Sequence, residues 1–262
     1  MKKVLIVGCT HGNESIGFKV INSLQALLGR NKNVHFLIAN PYAFSRNVRF
    51  LETDLNRSFP GKIDGSFEER LAHQIRPMIM SYDIVVDVHS TSSGLRYAVV
   101  IKKVNDETIA LAKCTNAKYV LHMDATQGNA LISDAKVGIA FEYGSDKDPR
   151  TYRDTLNGVC LILQSLGYVV KTNAKPPARK IFFRISEVIP KPKGFIAIKG
   201  VKNYKRLMRG QVYAHNPMSK KVLRAGESFC PILFGENSYK DIFGFKGDRV
   251  FEMEEKLNSS NR

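Results

Sequence analysis

Over the first two thirds of the chain, short apolar runs alternate with segments of helical period, and this alternation restricts the fold more than any other feature. Residues 4–7 are apolar and stop at Gly8, as a buried strand running into a turn does. From residue 14 to 28 the apolar side chains Ile16, Val20, Leu24, Leu27 and Leu28 recur close to the helical period, and Gly29 supplies a stop. Residues 34–39 read as a second strand, broken by Asn40 and Pro41. Ser66 and Glu69 have the spacing of a capping box, which predicts a helix from there to about Met80, with Pro77 able to kink its last turn. Strands follow at 83–88, 97–101, 119–121 and 137–143, with helices at 105–114 and 152–166. Strands and helices in alternation predict an α/β fold, a sheet with a largely parallel centre flanked by helices. Residues 41–65 are polar and aromatic with little periodicity and read as a long ordered loop, a length usually kept for function.

The texture changes after residue 172. Residues 172–180 are rich in Pro and Lys, and the short strand-like runs beyond them (180–186, 195–198, 211–214 and 231–234) are punctuated by Gly and Pro. This predicts two units, an α/β domain over 1–172 and a small β-rich C-terminal domain over 173–262, with residues 256–262 frayed. The net charge of +16 is unevenly shared: residues 1–172 hold 21 Lys+Arg against 16 Asp+Glu, and residues 173–262 hold 19 against 8. A basic surface attracts anions, whether small acids, nucleic acid or anionic lipid. No apolar stretch approaches the roughly 20 residues that cross a bilayer, and the N-terminal run is too short and lacks the cleavage site of a secretory signal. No membrane association and a cytoplasmic location are therefore expected. The four cysteines, Cys9, Cys114, Cys160 and Cys230, are scattered, which argues against a disulfide framework or a thiolate metal site.

Chemistry concentrates at the ends of the predicted strands. His11 and Glu14 lie just past the first, and His89 follows directly on the strand that carries Asp87. In open α/β sheets the loops beyond the carboxyl ends of strands form the binding crevice. A His-x-x-Glu pair alone also fits a helix-capping Glu beside a loop His. The third group changes the reading: two imidazoles and a carboxylate leave one tetrahedral position for water, as catalytic zinc sites do. The expected cofactor is one Zn²⁺ per chain, although nickel or cobalt could use the same donors. Arg49 and Arg57 flank Asp54 in the long loop and offer planar forks suited to a carboxylate. Glu142 stands alone in an apolar strand, where a carboxylate is seldom placed for packing, and partial desolvation would raise its pKa towards that of a general base.

Together, His11-Gly12-Asn13-Glu14, Asp54-Leu55-Asn56-Arg57, Asp87-Val88-His89-Ser90-Thr91 and Phe141-Glu142-Tyr143-Gly144 resemble the aspartoacylase/succinylglutamate desuccinylase family of the zinc carboxypeptidase-like superfamily. The resemblance covers about residues 4–165 and, more loosely, the tail. It implies a zinc carboxypeptidase-like mixed sheet, with His11, Glu14 and His89 as zinc ligands. It further implies Glu142 as the carboxylate that activates water, and Arg49 as the group that polarises the scissile carbonyl. Asn56 and Arg57 would grip the substrate's α-carboxylate, and Tyr239 would contact substrate. The implied activity is hydrolysis of an N-acyl amino acid, a small acidic partner, by a zinc-dependent amidohydrolase. One departure stands out. Residues 127–140 contain no arginine, where relatives that cleave N-acetylaspartate carry one for the side-chain carboxylate; Ile132 stands about there, and Lys136 is the cation that could substitute. A carboxypeptidase-like peptidase is the alternative, favoured if the tail leaves an open groove. An inactive hydrolase fold that binds nucleic acid through the basic tail is the third reading, and nucleic acid is otherwise not expected as a partner. A homo-oligomer is left open.

Overall fold

The computed structural model describes residues 1–123, 128–168, 170–235 and 239–259. The apolar runs become the strands β1 (Val4–Gly8), β2 (Val34–Ile38), β3 (Ile84–His89), β4 (Ala98–Ile101), β5 (Tyr119–His122) and β6 (Val137–Glu142). The C-terminal region adds β7 (Ile181–Pro190), β8 (Ile196–Ala197), β9 (Val212–His215), β10 (Val222–Arg224), β11 (Cys230–Ile232) and β12 (Ile242–Arg249). Nine of these make one sheet in the order β11-β12-β7-β5-β4-β6-β3-β1-β2, and β10-β9-β8 make a second. The centre is parallel, through β2–β1, β1–β3 and β3–β6, whereas β4 runs antiparallel to β6. β1 and β3 are buried throughout, which is why they read as unbroken apolar runs rather than as alternating ones. The expected mixed α/β sheet is borne out.

Among the described residues six α-helices surround it: α1 (Ile16–Leu28), α2 (Pro41–Ser45), α3 (Phe67–Ser81), α4 (Asp106–Cys114), α5 (Pro149–Ser165) and α6 (Phe251–Asn258). Side chains alternate across a strand, so each strand serves two cores. Val4, Ile6, Val86, Val88, Ile139 and Phe141 pack with apolar residues of α1, α4, α5 and α6. Leu5, Val7, Val85 and Ala140 face the other way, towards α3 and the C-terminal strands. On that second face Asp87 and His89 follow Val85 at two-residue spacing, and register places His89 beside Glu142. His89 and Glu142 thus occupy the carboxyl ends of β3 and β6.

Several elements differ from expectation. The loop at 41–65 holds α2 at its start and a 3-10 turn at Leu55–Arg57. Asn40 caps α2 by accepting from the Ala43 N–H, and Pro41 occupies its first turn, so the pair that ends β2 also starts a helix. α5 begins at Pro149 rather than 152, because Asp148 caps it. Residues 256–258 belong to α6 instead of fraying; Met253 and Leu257 are buried, and the buried Glu254 pairs with Arg249 at 2.6 and 2.9 Å. β12 carries two glycines and three charged residues among its apolar ones, and β10 is only three residues long, so neither reads as a strand. β7 pairs with β5 and β12 with β7, so the large sheet draws strands from both sides of residue 172. The β8–β10 sheet lies with its own apolar cluster around Leu207, Phe229, Phe234 and Phe243. Lys180 joins the two regions: its buried ammonium donates to the Thr115 and Ala117 carbonyls, both at 2.7 Å, and burial pulls it down to about 8. Among the described residues no helix is long and apolar enough to cross a membrane.

Candidate active site

The turn after β1 sets the first two groups. Gly12 is held against α2, its N–H donating to the Arg49 carbonyl at 3.0 Å; a Cβ there would stand 2.2 Å from the Ala43 backbone, so only glycine lets the turn close. That closure presents His11 and Glu14 to the end of β3. His11 Nδ1 lies 2.8 Å from Glu14 Oε1, and His89 Nδ1 lies 3.0 Å from Glu14 Oε2. The Ser90 N–H also donates to Oε2, at 3.0 Å. The opposite ring nitrogens are both anchored on carboxylates: His11 Nε2 on Asp54 at 3.0 Å and His89 Nε2 on Asp87 at 2.7 Å. Asp87 is held in turn by the Thr10 hydroxyl at 2.9 Å.

This pattern tests whether a metal fits. A carboxylate at Nε2 fixes the proton there and leaves the Nδ1 lone pair directed outwards, the arrangement found around metal-bound histidines. Here both Nδ1 atoms turn onto one carboxylate, and the three donors lie within 4.8 Å of one another, all buried. Lone pairs facing a carboxylate at such distances require a cation between them, either a proton or a metal. Burial opposes charge on His89, but Asp87 and Glu14 outweigh it and raise its pKa well above the ordinary value. His11 is raised in the same way by Glu14 and Asp54. Glu14 is correspondingly pulled far down, against its burial, by the two imidazoles. The residues fit a divalent cation.

The 41–65 segment supplies the second group of side chains. Arg49 donates to Asp54 Oδ2 from Nε and Nη2 at 3.2 and 2.9 Å and reaches Glu14 Oε1 at 3.4 Å. Asp54 Oδ1 also accepts the Asn56 N–H, and Asn56 Oδ1 accepts the Leu131 N–H, each at 2.9 Å. What holds this irregular backbone is Glu68, fully buried on α3. Its carboxylate accepts N–H groups from Leu51, Glu52 and Thr53 at 2.6, 3.0 and 3.0 Å, together with the Asn40 amide at 3.2 Å. Burial works against its charge, but these donors outweigh it and hold the carboxyl below its usual range. A depressed folded pKa stabilises above the unfolded value of about 4.3 and loses that contribution as pH falls through the lower folded value. Glu68→Gln should therefore cost on the order of 2–3 kcal/mol at neutral pH, and the difference should shrink in acid. Thermal melts of both proteins at about pH 7 and pH 3 check this; equal melting at neutral pH would show that the loop is held by other contacts.

The eight residues given roles from the sequence, His11, Glu14, Arg49, Asn56, Arg57, His89, Glu142 and Tyr239, line one cavity. Residues 236–238, directly ahead of Tyr239, lie outside the described residues. Lys136 is a correction. It pairs with Asp83 at 3.6 Å, ahead of β3, and does not line the cavity. Lys102 does, on a wall otherwise built from apolar groups that include Val100, Met123, Ile132 and Leu233. Sequence reasoning missed Lys102, the anchoring role of Asp54 and Asp87, and Glu68. Only Asp87 left a usable signal, since two-residue spacing on a strand puts it on the same face as His89.

Residues 1–151 match the succinylglutamate desuccinylase/aspartoacylase catalytic domain. The chain belongs to this family. A probable aspartoacylase of Acaryochloris marina is 32% identical over 225 residues, 74% of each chain. An N-acyl-aromatic-L-amino acid amidohydrolase (carboxylate-forming) of Xenopus laevis is 27% identical over 190 residues, 63% of this chain and 62% of that one. The matched part thus spans between three fifths and three quarters of these relatives. Murine aminoacylase 3 superposes with a TM-score of 0.79 at 17% identity, covering 95% of both chains. A succinylglutamate desuccinylase/aspartoacylase of Rhodobacter sphaeroides gives 0.74 at 18% identity, covering 95% of this chain and 86% of that one. At those identities the structural likeness speaks for the fold, and the family membership expected from the four motifs rests on the sequence matches.

Proposed function

We propose that the chain hydrolyses the amide bond of N-acyl amino acids, with one Zn²⁺ held by His11 Nδ1, Glu14 and His89 Nδ1. The observation that carries this is the pair of imidazoles, each anchored at Nε2 on a carboxylate and each turning Nδ1 onto Glu14. Bound there, the ion supplies Lewis-acid polarisation and lowers the pKa of water from about 15.7 towards 7. The chain's own groups do the rest. Glu142 takes a proton from the attacking water and delivers it to the leaving nitrogen. The water oxygen bonds to the acyl carbon and the C–N bond breaks, giving a carboxylate and a free amine. Arg49, held by Asp54, faces the acyl oxygen and stabilises its growing negative charge. Asn56 and Arg57 hold the α-carboxylate and Tyr239 closes over the substrate, so that the reacting groups meet already oriented.

Leu233 and Tyr239 come from the C-terminal region and line the same cavity. A wall contributed by the tail supports a small N-acyl amino acid over an extended peptide. Lys102 would then draw a second acidic group, and the apolar wall around it an aliphatic or aromatic one. The test is a panel of N-acetyl amino acids and short peptides, with bound metal quantified on the same sample. Near one equivalent of zinc with turnover of N-acetyl amino acids is expected; zinc with cleavage of peptides alone would overturn the reading. Run on the same panel, Lys102→Met should raise KM for N-acetylaspartate about tenfold, the scale of one charge-assisted hydrogen bond, and leave N-acetyl-leucine unaffected. An equal change on both substrates would show that Lys102 does not discriminate between them.

A further inference from the structure

Tyr204 combines three features that packing alone does not explain. Its backbone is left-handed, with φ at 68°, a conformation that costs energy for an aromatic residue and persists only when its surroundings enforce it. They do so here: the Tyr204 N–H donates to the Pro231 carbonyl at 2.9 Å, and the neighbouring Asn203 side chain bonds the Ser93 carbonyl and the Phe234 N–H, both at 2.8 Å. The ring stacks face to face on Tyr119 with centroids 3.6 Å apart, and lies 5.6 Å from Phe183. Finally, the hydroxyl oxygen is buried without a hydrogen-bond partner among the described residues. Phenylalanine would make the same stack and strand no polar atom, so the oxygen is kept against its desolvation cost.

The sheet register shows what the oxygen is near. Ala98 on β4 is in register with Glu142 on one side and with Tyr119 on the other. Strand spacing of about 4.8 Å puts Glu142 and Tyr119 on one face, roughly 10 Å apart, with the small Ala98 in register between them. A ring stacked over Tyr119 therefore stands beside the space in front of Glu142. Burial, Tyr119 and the Glu142 charge together keep the Tyr204 phenol protonated far above its ordinary range, so it is a donor. Catalytic hydrogen bonds are often long in the free protein and tighten when substrate binds.

We propose that Tyr204 is a positioning residue for Glu142, its hydroxyl donating to the carboxylate as substrate fills the cavity and turning it towards the scissile amide. This rests on the reading of Glu142 as the proton-transfer group. Tyr204→Phe, which keeps the stack, tests it in the metal-loaded full chain. The expected result is a loss of about tenfold or more in kcat, with KM, metal content and melting temperature unchanged, the signature of an interaction made in the transition state. Unchanged kcat, or a loss accompanied by lower melting temperature and metal content, would overturn the proposal. A second measurement is independent of turnover. In chain labelled with ζ-¹³C tyrosine, the resonance lost in Tyr204→Phe is expected to move in Glu142→Gln, and a resonance that stays put would overturn the pairing. Should the metal-loaded wild type hydrolyse no N-acyl amino acid, the functional reading fails, and the resonance still decides whether Tyr204 faces Glu142.

Discussion

Glu142→Gln is expected to lower kcat by about 10²–10⁴-fold, the usual contribution of a general base, while metal content stays at the wild-type level. The amide has the size of the carboxylate, so the end of β6 keeps its place beside His89; what disappears is the ability to accept a proton. Retention of metal follows from the donor set, in which His11, Glu14 and His89 meet without Glu142. The neighbouring acids cannot readily take over. Glu14 is engaged by both imidazoles. Asp87 is occupied by His89 and Thr10, and Asp54 by His11, Arg49 and the Asn56 N–H. Single-turnover rates with metal quantified on the same sample decide the matter. Wild-type turnover would remove Glu142 from the chemistry, and loss of metal would make it part of the cation site.

The groups that could be read from the sequence are those whose role depends on their own strand. Residues 4–7, 83–88 and 137–143 declare themselves as buried strands, and a titratable residue at the end of such a run lies at the carboxyl edge of a parallel sheet by the geometry of the fold. His11, His89 and Glu142 are legible for that reason. Lys102, Tyr204 and Glu68 are not, because each acts through a contact set by packing. Lys102 lines the cavity because it lies two positions beyond Val100, on the face that β4, antiparallel to β6, presents to that wall. Tyr204 depends on a stack with Tyr119, 85 positions earlier in the chain. Glu68 looks like an ordinary first-turn acid of α3; only in the fold do three consecutive N–H groups of the loop converge on it. Lys136 shows the opposite failure. It is close in sequence to Ile132, but the turn ahead of β6 carries it to the far end of the sheet, beside Asp83.

Metal loading is expected to expel protons and to strengthen steeply with pH. To donate through Nδ1 each imidazole must be neutral, and metal affinity therefore depends on pH wherever the metal-free ligands hold protons. In the metal-free chain both histidines do so above the ordinary value of 6.5: burial opposes it, but Glu14 and Asp54 outweigh burial at His11, and Asp87 and Glu14 at His89. The sign follows. Raised histidine pKa values stabilise the metal-free fold fully below about 6.5, the unfolded value, and this contribution is lost as pH rises through the folded values. Glu14, pulled down, stabilises above the unfolded carboxylate value and loses its contribution only in strong acid. It therefore stays ionised throughout the window in which the histidines titrate and adds no proton of its own. Loading at neutral pH should release up to two protons. Affinity should rise by as much as about 100-fold per pH unit until the histidine values are passed, then level off. Competition against a chelator at about pH 6, 7 and 8, with calorimetry in buffers of different ionisation enthalpy, measures both quantities. His89→Ala removes one donor and one proton, so it should bind far more weakly and with about half the pH slope. Affinity that is flat across the window in the wild type would mean that the imidazoles are not the groups that exchange a proton for the metal.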